Sequence, residues 1–390
     1  MSVADKDDKG TDVTIVVENK ALTEGLTITK TWDATGVDTS LIKPVEVTFH
    51  AEFKLANGGT WADMPSSTGA AAGGLVTITE KDGIWTATLV NLPKPNDKFV
   101  YRVSEASVKY QVKNAAGSWV DVTYNCTGAF DADNKNWTGS AGFYAASVAV
   151  RRINAETWQA AAVNTAEPGA IEIFKEWDDE DNRDLSRPNS TGITLQLYKL
   201  PAAGEGTDAL AIGEPTTLTI ADQVSGNVNR WYAIWNNLPK YNYDGTAAKY
   251  YVVEEAVDKY TTAYDGSADP KTVDKEPGTI ALPTDILVEN THKPDYGTIT
   301  ASKVWDDFED ALDTRPVEIK FHLEYSLDGG VTFEPITKAA SAPYANGDVY
   351  TTSDPVQTIT YTGSKADPWT QKAEGKDLPL YAAVKDASGK

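Results

Sequence analysis

Three stretches decide how the chain folds: Leu26-Thr-Ile-Thr-Lys30-Thr-Trp32-Asp33, Ile171-Glu-Ile-Phe-Lys175-Glu-Trp177-Asp178-Asp179 and Ile299-Thr-Ala-Ser-Lys303-Val-Trp305-Asp306-Asp307. Each is a short alternating strand that closes on a lysine and a tryptophan two residues apart. The lysines stand 145 and 128 residues apart (175 − 30 and 303 − 175), which is a domain-sized period. A repeat of that length reads as a tandem array with one folding unit per copy.

Further phrases follow each lysine in the same order. After Lys30 come Trp85 to Leu92-Pro93, then Tyr101-Arg-Val-Ser-Glu105, then Val163-Asn164-Thr165. After Lys175 come Trp231 to Leu238-Pro239, then Tyr250-Tyr-Val-Val-Glu254, then Val288-Glu-Asn290-Thr291. Lysine, glutamate and asparagine therefore recur in fixed order.

Period-2 alternation runs through 45–53 (VEVTFHAEF), 193–200 (ITLQLYKL) and 317–325 (VEIKFHLEY), the pattern of half-buried strands. Asp82-Gly83, Asp244-Gly245 and Asp328-Gly329-Gly330 mark turns between such strands, and no long amphipathic helix intervenes. The expected fold is all-β, a series of Ig-like sandwiches with short links, and hence a stiff rod. Residues 1–24 form an N-terminal tail, in which 11–20 resemble a closing strand. Three units follow: 25–168 with an insertion near 110–145, 169–293, and 294–390. The insertion reads as a surface excursion carrying Trp119 and Trp137.

The 390 residues are 41% hydrophobic and 10% aromatic, enough for several small cores, and carry a net charge of −22. That charge argues against nucleic-acid and anionic-membrane partners, which call for clustered cations. The lone cysteine, Cys126, excludes a disulfide framework within one chain, and the histidines His50, His292 and His322 are too scattered for a zinc site. The acidic loops 178–184 and 306–313 suggest calcium but lack the glycine and terminal glutamate of an EF-hand, so no metal and no cofactor is assigned. Of the 11 tryptophans, Trp32, Trp85, Trp177, Trp231 and Trp305 recur in register as core positions. Trp61, Trp119, Trp137, Trp158 and Trp369 are left as candidates for a glycan-binding surface. No triad context, phosphate loop or metal cluster points to enzymatic turnover.

The Lys-x-Trp-Asp openings, Arg187-Pro188 and Arg315-Pro316, the Trp-to-Leu-Pro stretches, the Tyr-x-Val-x-Glu strands and the Asn-Thr endings resemble the collagen-adhesin B-type (CnaB) repeats of Gram-positive surface proteins and pilins. Lys43-Pro44 replaces Arg-Pro in the first unit. The resemblance implies reverse-Ig, prealbumin-like sandwiches and a spontaneous intramolecular bond between the lysine and asparagine side chains, assisted by the glutamate. It assigns Lys30, Asn164 and Glu105 to the first unit and Lys175, Asn290 and Glu254 to the second.

The chemistry is also expected on physical grounds. A buried lysine loses its proton more easily and becomes a nucleophile, while a buried glutamic acid keeps its proton and can polarise the asparagine carbonyl. Singly, each lysine reads as an exposed strand residue in a surface ion pair; ordered recurrence beside a tryptophan favours the crosslink.

The expected role is a stalk of a cell-wall-anchored bacterial surface adhesin, with neighbouring repeats of a longer array as partners. An alternative is a self-assembling pilus subunit, in which Asn19 of a neighbouring copy would meet Lys303, because the third unit shows a lysine but no glutamate or asparagine strand. A weaker alternative is a module that binds a host matrix protein or a glycan.

Overall fold

The computed structural model describes residues 2–3, 15–16, 23–93, 98–154, 157–182, 184–316, 318–322, 324–326, 328–335, 356–360 and 372–379. Among them the regular structure is β-strand, with 3-10 turns as its only helical elements.

Two sheets enclose the first core. One runs β6-β7-β8-β9-β1-β3, where β1 is Thr23–Asp33, β3 Thr86–Pro93, β6 Thr127–Phe130, β7 Asn136–Ala141, β8 Tyr144–Asn154 and β9 Thr157–Thr165. The other is built on β2 (Ile42–Leu55), β4 (Phe99–Lys113) and β5 (Trp119–Asn125). The second core repeats the plan with fewer strands. One sheet runs β13-β10-β16-β15 and the other β12-β11-β14, with β10 Pro168–Asp178, β11 Ile193–Lys199, β12 Leu210–Leu218, β13 Arg230–Pro239, β14 Tyr250–Glu254, β15 Thr261–Tyr264 and β16 Thr284–Thr291. In the third repeat β17 (Tyr296–Ser302) pairs antiparallel with β18 (Lys372–Pro379).

The alternation seen in the sequence becomes burial. Val47, Phe49 and Ala51 of β2 are fully buried, and Ile193, Leu195, Leu197 and Lys199 of β11 point inward together. Val317 and Leu323, of the third alternating stretch, lie outside the described residues. Asp82 and Gly83 both adopt positive φ (55° and 78°), the conformation a two-residue I′ hairpin turn demands.

The expected excursion near 110–145 is drawn into both sheets instead: β4 continues to Lys113, β5 joins its sheet, and β6 and β7 extend the other. Trp137 is consequently 3% exposed, a core residue rather than a surface one. The physical reason is Gly128 and Gly139, where a Cβ would stand 2.4 and 2.7 Å from the Trp137 ring, so their bare backbone leaves room for the indole. Trp61 and Trp158 are half-buried, Trp119 is 41% exposed, and Trp369 lies outside the described residues.

The first and second repeats touch. Asp38 N–H donates to Asn237 O (2.7 Å), Tyr243 packs into the first core and Leu41 against the second. At Gly142, with φ of +75°, an added Cβ would lie 1.7 Å from Tyr243 O.

Candidate functional site

The site follows from strand order. In the first and second repeats the last strand lies parallel to the first: β9 beside β1, with Ala162 opposite Lys30 and Asn164 opposite Trp32, and β16 beside β10, with Val288 opposite Lys175 and Asn290 opposite Trp177. Side chains alternate along a strand, so Leu26, Ile28 and Lys30 point inward with Ala160, Ala162 and Asn164. Lysine and asparagine thus become diagonal neighbours on the inner face. Glu105 on β4 and Glu254 on β14 come from the opposite sheet and meet them across the sandwich.

In the first repeat Lys30 and Glu105 have fully buried side chains, and Asn164 is fully buried as well. Lys30 Nζ donates to Glu105 Oε1 at 2.6 Å and Asn164 Nδ2 donates to Glu105 Oε2 at 3.0 Å. One carboxylate therefore bridges both partners, and Asn164 Oδ1 is left buried without a donor. Desolvation lowers the Lys30 pKa to about 8 despite the adjacent Glu105 charge.

The second repeat holds the same residues differently. Lys175 and Glu254 are again fully enclosed, with Nζ 3.7 Å from Oε1. Lys175 Nζ donates to Glu176 O (3.0 Å) and Val288 O (3.3 Å), while Thr262 Oγ1 donates to Glu254 Oε2 (2.8 Å). Glu254 Oε1 and both polar atoms of the Asn290 side chain have no hydrogen-bond partner. Burial lowers Lys175 to about 7 and raises Glu254, so both groups are driven toward their neutral forms.

Aromatic rings wall both sites. Lys30 Nζ lies 4.2 Å from the centre of the Trp32 ring, and Lys175 Nζ 4.4 Å from that of Trp177. Trp32 meets Trp85 edge-on at 5.5 Å and Trp177 meets Trp231 at 5.0 Å. In the third repeat Lys303 stands 4.4 Å over Trp305, and Asn19, its suggested partner, lies outside the described residues.

The acidic loops are clasps. Asp179 receives Arg187 through Nε (2.9 Å) and Nη2 and Tyr260 through its hydroxyl (2.8 Å), while Asp184 receives His292 (2.8 Å). Asp307 and Arg315 repeat the fork eight residues apart. Within each clasp Glu180, Asp181 and Asn182, or Phe308, Glu309 and Asp310, take positive φ in succession. The Asp179–Arg187 and Asp307–Arg315 spacing was available in the sequence; Thr262 carried no local signal. Ala34 stands at the first-repeat position of Asp179.

His50, Glu52 and Asp63 also cluster, but Arg102 holds Glu52 through both oxygens (2.7 and 2.9 Å), which makes an ion-pair network on the strand face. Cys126 is half-buried, and burial pushes its thiol up to about 12.

Residues 171–274 match the family model of the Cna protein B-type domain, so the second repeat is such a domain. A 169-residue stretch, 43% of the chain, is 29% identical to the collagen adhesin of Staphylococcus aureus and spans 11% of that protein's length. Among solved structures, the chain is similar to two B repeat units of the collagen-binding protein of S. aureus (22% identity, 92% of this chain and 65% of that one, TM-score 0.35). It is also similar to the major pilin of Streptococcus pyogenes (14% identity, 69% of this chain and 98% of that one, TM-score 0.28). A third likeness is the pilus adhesin SpaC of Lactobacillus rhamnosus GG (13% identity, 87% and 32%, TM-score 0.29).

Proposed function

We propose that the chain is a load-bearing segment of a bacterial cell-surface stalk or pilus shaft, braced by isopeptide bonds from Lys30 to Asn164 and from Lys175 to Asn290. The observation that carries this reading is the repeated placement, in two cores of different strand number, of a fully buried lysine and asparagine on adjacent parallel strands with a glutamate facing them.

A buried charged lysine is costly, and proton transfer to the glutamate leaves an amine and a carboxylic acid. The lysine lone pair attacks Cγ of the asparagine while the acid hydrogen-bonds the amide oxygen. As the tetrahedral centre collapses, the Cγ–Nδ2 bond breaks and the nitrogen leaves as ammonia. The net change is one new amide and one ammonia released per site. The tryptophans exclude the water that would hydrolyse the activated amide to aspartate.

The mechanical consequence follows from the register. Tension that enters at the start of β1 and leaves beyond β9 passes through the crosslink, bypassing the residues between 30 and 164. Closing a loop of more than 100 residues also removes unfolded-state entropy, worth about 5 kcal/mol. The match of the second repeat to the B-type domain and the likeness to a collagen adhesin support a structural, extracellular role whose partners are adjoining repeats or subunits.

Digestion of the denatured protein tests this directly: branched peptides joining the Lys30 and Asn164 segments, and the Lys175 and Asn290 segments, are expected. Linear peptides alone at all four positions would end the proposal.

Lys303, placed over Trp305 as the other two lysines lie over theirs, supports a second reading in which Asn19 of another copy bonds to Lys303. It predicts covalent ladders on denaturing gels that vanish in Lys303→Ala; monomer alone rules it out.

A further inference from the structure

Among the described residues, Thr262 supplies the one hydroxyl that donates to the side-chain carboxylate of either site's glutamate. It stands directly opposite Asn290 on the neighbouring strand β15, and its Oγ1 donates to Glu254 Oε2 at 2.8 Å. The next inward residue of β15 continues the grip, since Tyr264 Oη accepts the backbone N–H of Glu254 at 2.9 Å. The corresponding position opposite Asn164 is Ala146. With no hydroxyl there, Glu105 Oε2 takes its hydrogen bond from Asn164 Nδ2 itself.

The two sites therefore spend the same lone pair differently. In the first, the leaving nitrogen of the amide is tied to the carboxylate before reaction. In the second, Thr262 donates to Oε2, the Asn290 amide lies near the carboxyl without a well-formed hydrogen bond to it, and Oε1 is the oxygen that faces Lys175 at 3.7 Å.

We propose that Thr262 is a positioning residue for crosslink formation in the second repeat: its hydroxyl anchors one oxygen of Glu254 so that the other exchanges protons between Lys175 and Asn290. The inference rests on the isopeptide reading above and adds to it a reason why one site should form faster than its neighbour when the hydroxyl is present and slow selectively when it is removed. No new bond is involved; Thr262 keeps its proton throughout, and the lysine proton passes through Oε1 to the departing ammonia.

The two sites in one molecule supply an internal clock. Full-length chain is made by cell-free translation, quenched in acid at intervals and digested, and the branched peptide of each repeat is quantified by mass. Thr262→Val keeps the shape and strand propensity of the side chain but removes the donor. It is expected to slow formation of the Lys175–Asn290 peptide about tenfold, with the Lys30–Asn164 peptide forming at its usual rate, and Thr262→Ser is expected to restore the rate. Loss of a donor to the carboxylate also favours its protonated form, so the pH optimum of the second site should move upward in Thr262→Val.

A role in folding alone would leave the rate and its pH optimum unmoved once the repeat is folded. If Thr262→Val does not fold, a Ser, Cys, Ala series at that position still decides, because the rates should follow donor strength. Equal rates across the series, or a first site that slows in parallel, would overturn the assignment of Thr262. Absence of the branched peptide from the unsubstituted second repeat would overturn the crosslink itself.

Discussion

The first and second repeats place lysine, asparagine and glutamate on equivalent strands, yet they surround them differently. In the first, Glu105 bridges Lys30 and Asn164 directly, and the loop after Trp32 carries no acid–arginine fork but reaches the second repeat through Asp38 and Leu41. In the second, Lys175 leans on backbone carbonyls, Thr262 holds Glu254, and the loop after Trp177 is closed on itself by Asp179, Arg187 and Tyr260. The difference teaches that strand order and burial are what the three residues require. The loop beyond the tryptophan is then available for either of two uses: clasping its own domain or joining the next.

The sharpest way to break that comparison is Glu105→Ala. It removes the carboxylate to which Lys30 Nζ and Asn164 Nδ2 both donate, so the first crosslink should fail while the second forms normally. A buried lysine left without its counter-charge should cost about 3–5 kcal/mol in addition to the lost crosslink. Denaturant unfolding combined with peptide mapping reads both effects; a first crosslink that still forms would show that the bridging carboxylate is dispensable.

Arg187→Ala comes next. Asp179 would lose both arms of its fork inside a buried clasp, for a cost of about 3 kcal/mol confined to the second repeat. Hydrogen exchange should rise around 179–189 and at 228–229, where Arg187 also donates to Val228 O and Asn229 Oδ1, with no change in the first core.

A pH series sharpens the contrast between the lysines. Asn290→Ala and Asn164→Ala each leave one lysine uncrosslinked, and burial holds the folded pKa at about 7 for Lys175 and about 8 for Lys30. Both lie below the unfolded value near 10. Between those limits the unfolded chain binds more protons, so stability must rise with pH, beginning near 7 in Asn290→Ala and near 8 in Asn164→Ala. Urea midpoints from pH 6 to 9, compared with the same variants carrying Lys→Met, isolate the lysine contribution; a flat difference would mean that the lysines keep their charge inside.

The smallest effect is expected at the junction. Gly142→Ala places a Cβ on the Tyr243 carbonyl from a left-handed backbone, for about 1–2 kcal/mol. NMR relaxation should then show the two repeats tumbling less closely together while each retains its own core; unchanged tumbling would mean that the contact is incidental.

Much of this architecture was legible because repetition removes ambiguity. A single Lys-x-Trp-Asp could be an exposed strand end, but three copies, two of them followed by glutamate and asparagine in order, indicate one inner face used repeatedly, and alternation places Lys30 and Lys175 on it. What escaped the sequence were contacts made across sheets. Thr262 is an ordinary threonine until strand pairing sets it opposite Asn290. Trp137 looked like a surface ring because its neighbours are polar, and only the register of β6 and β7 brings glycines over it. The acidic loops resembled cation ligands because composition does not show that an arginine eight residues onward folds back onto them.

The central claim is tested most directly by the intact mass of the denatured chain beside its Lys30→Ala and Lys175→Ala variants. The account predicts a deficit of two ammonia molecules, falling by one in each variant; the full unmodified mass in the unsubstituted chain would contradict it.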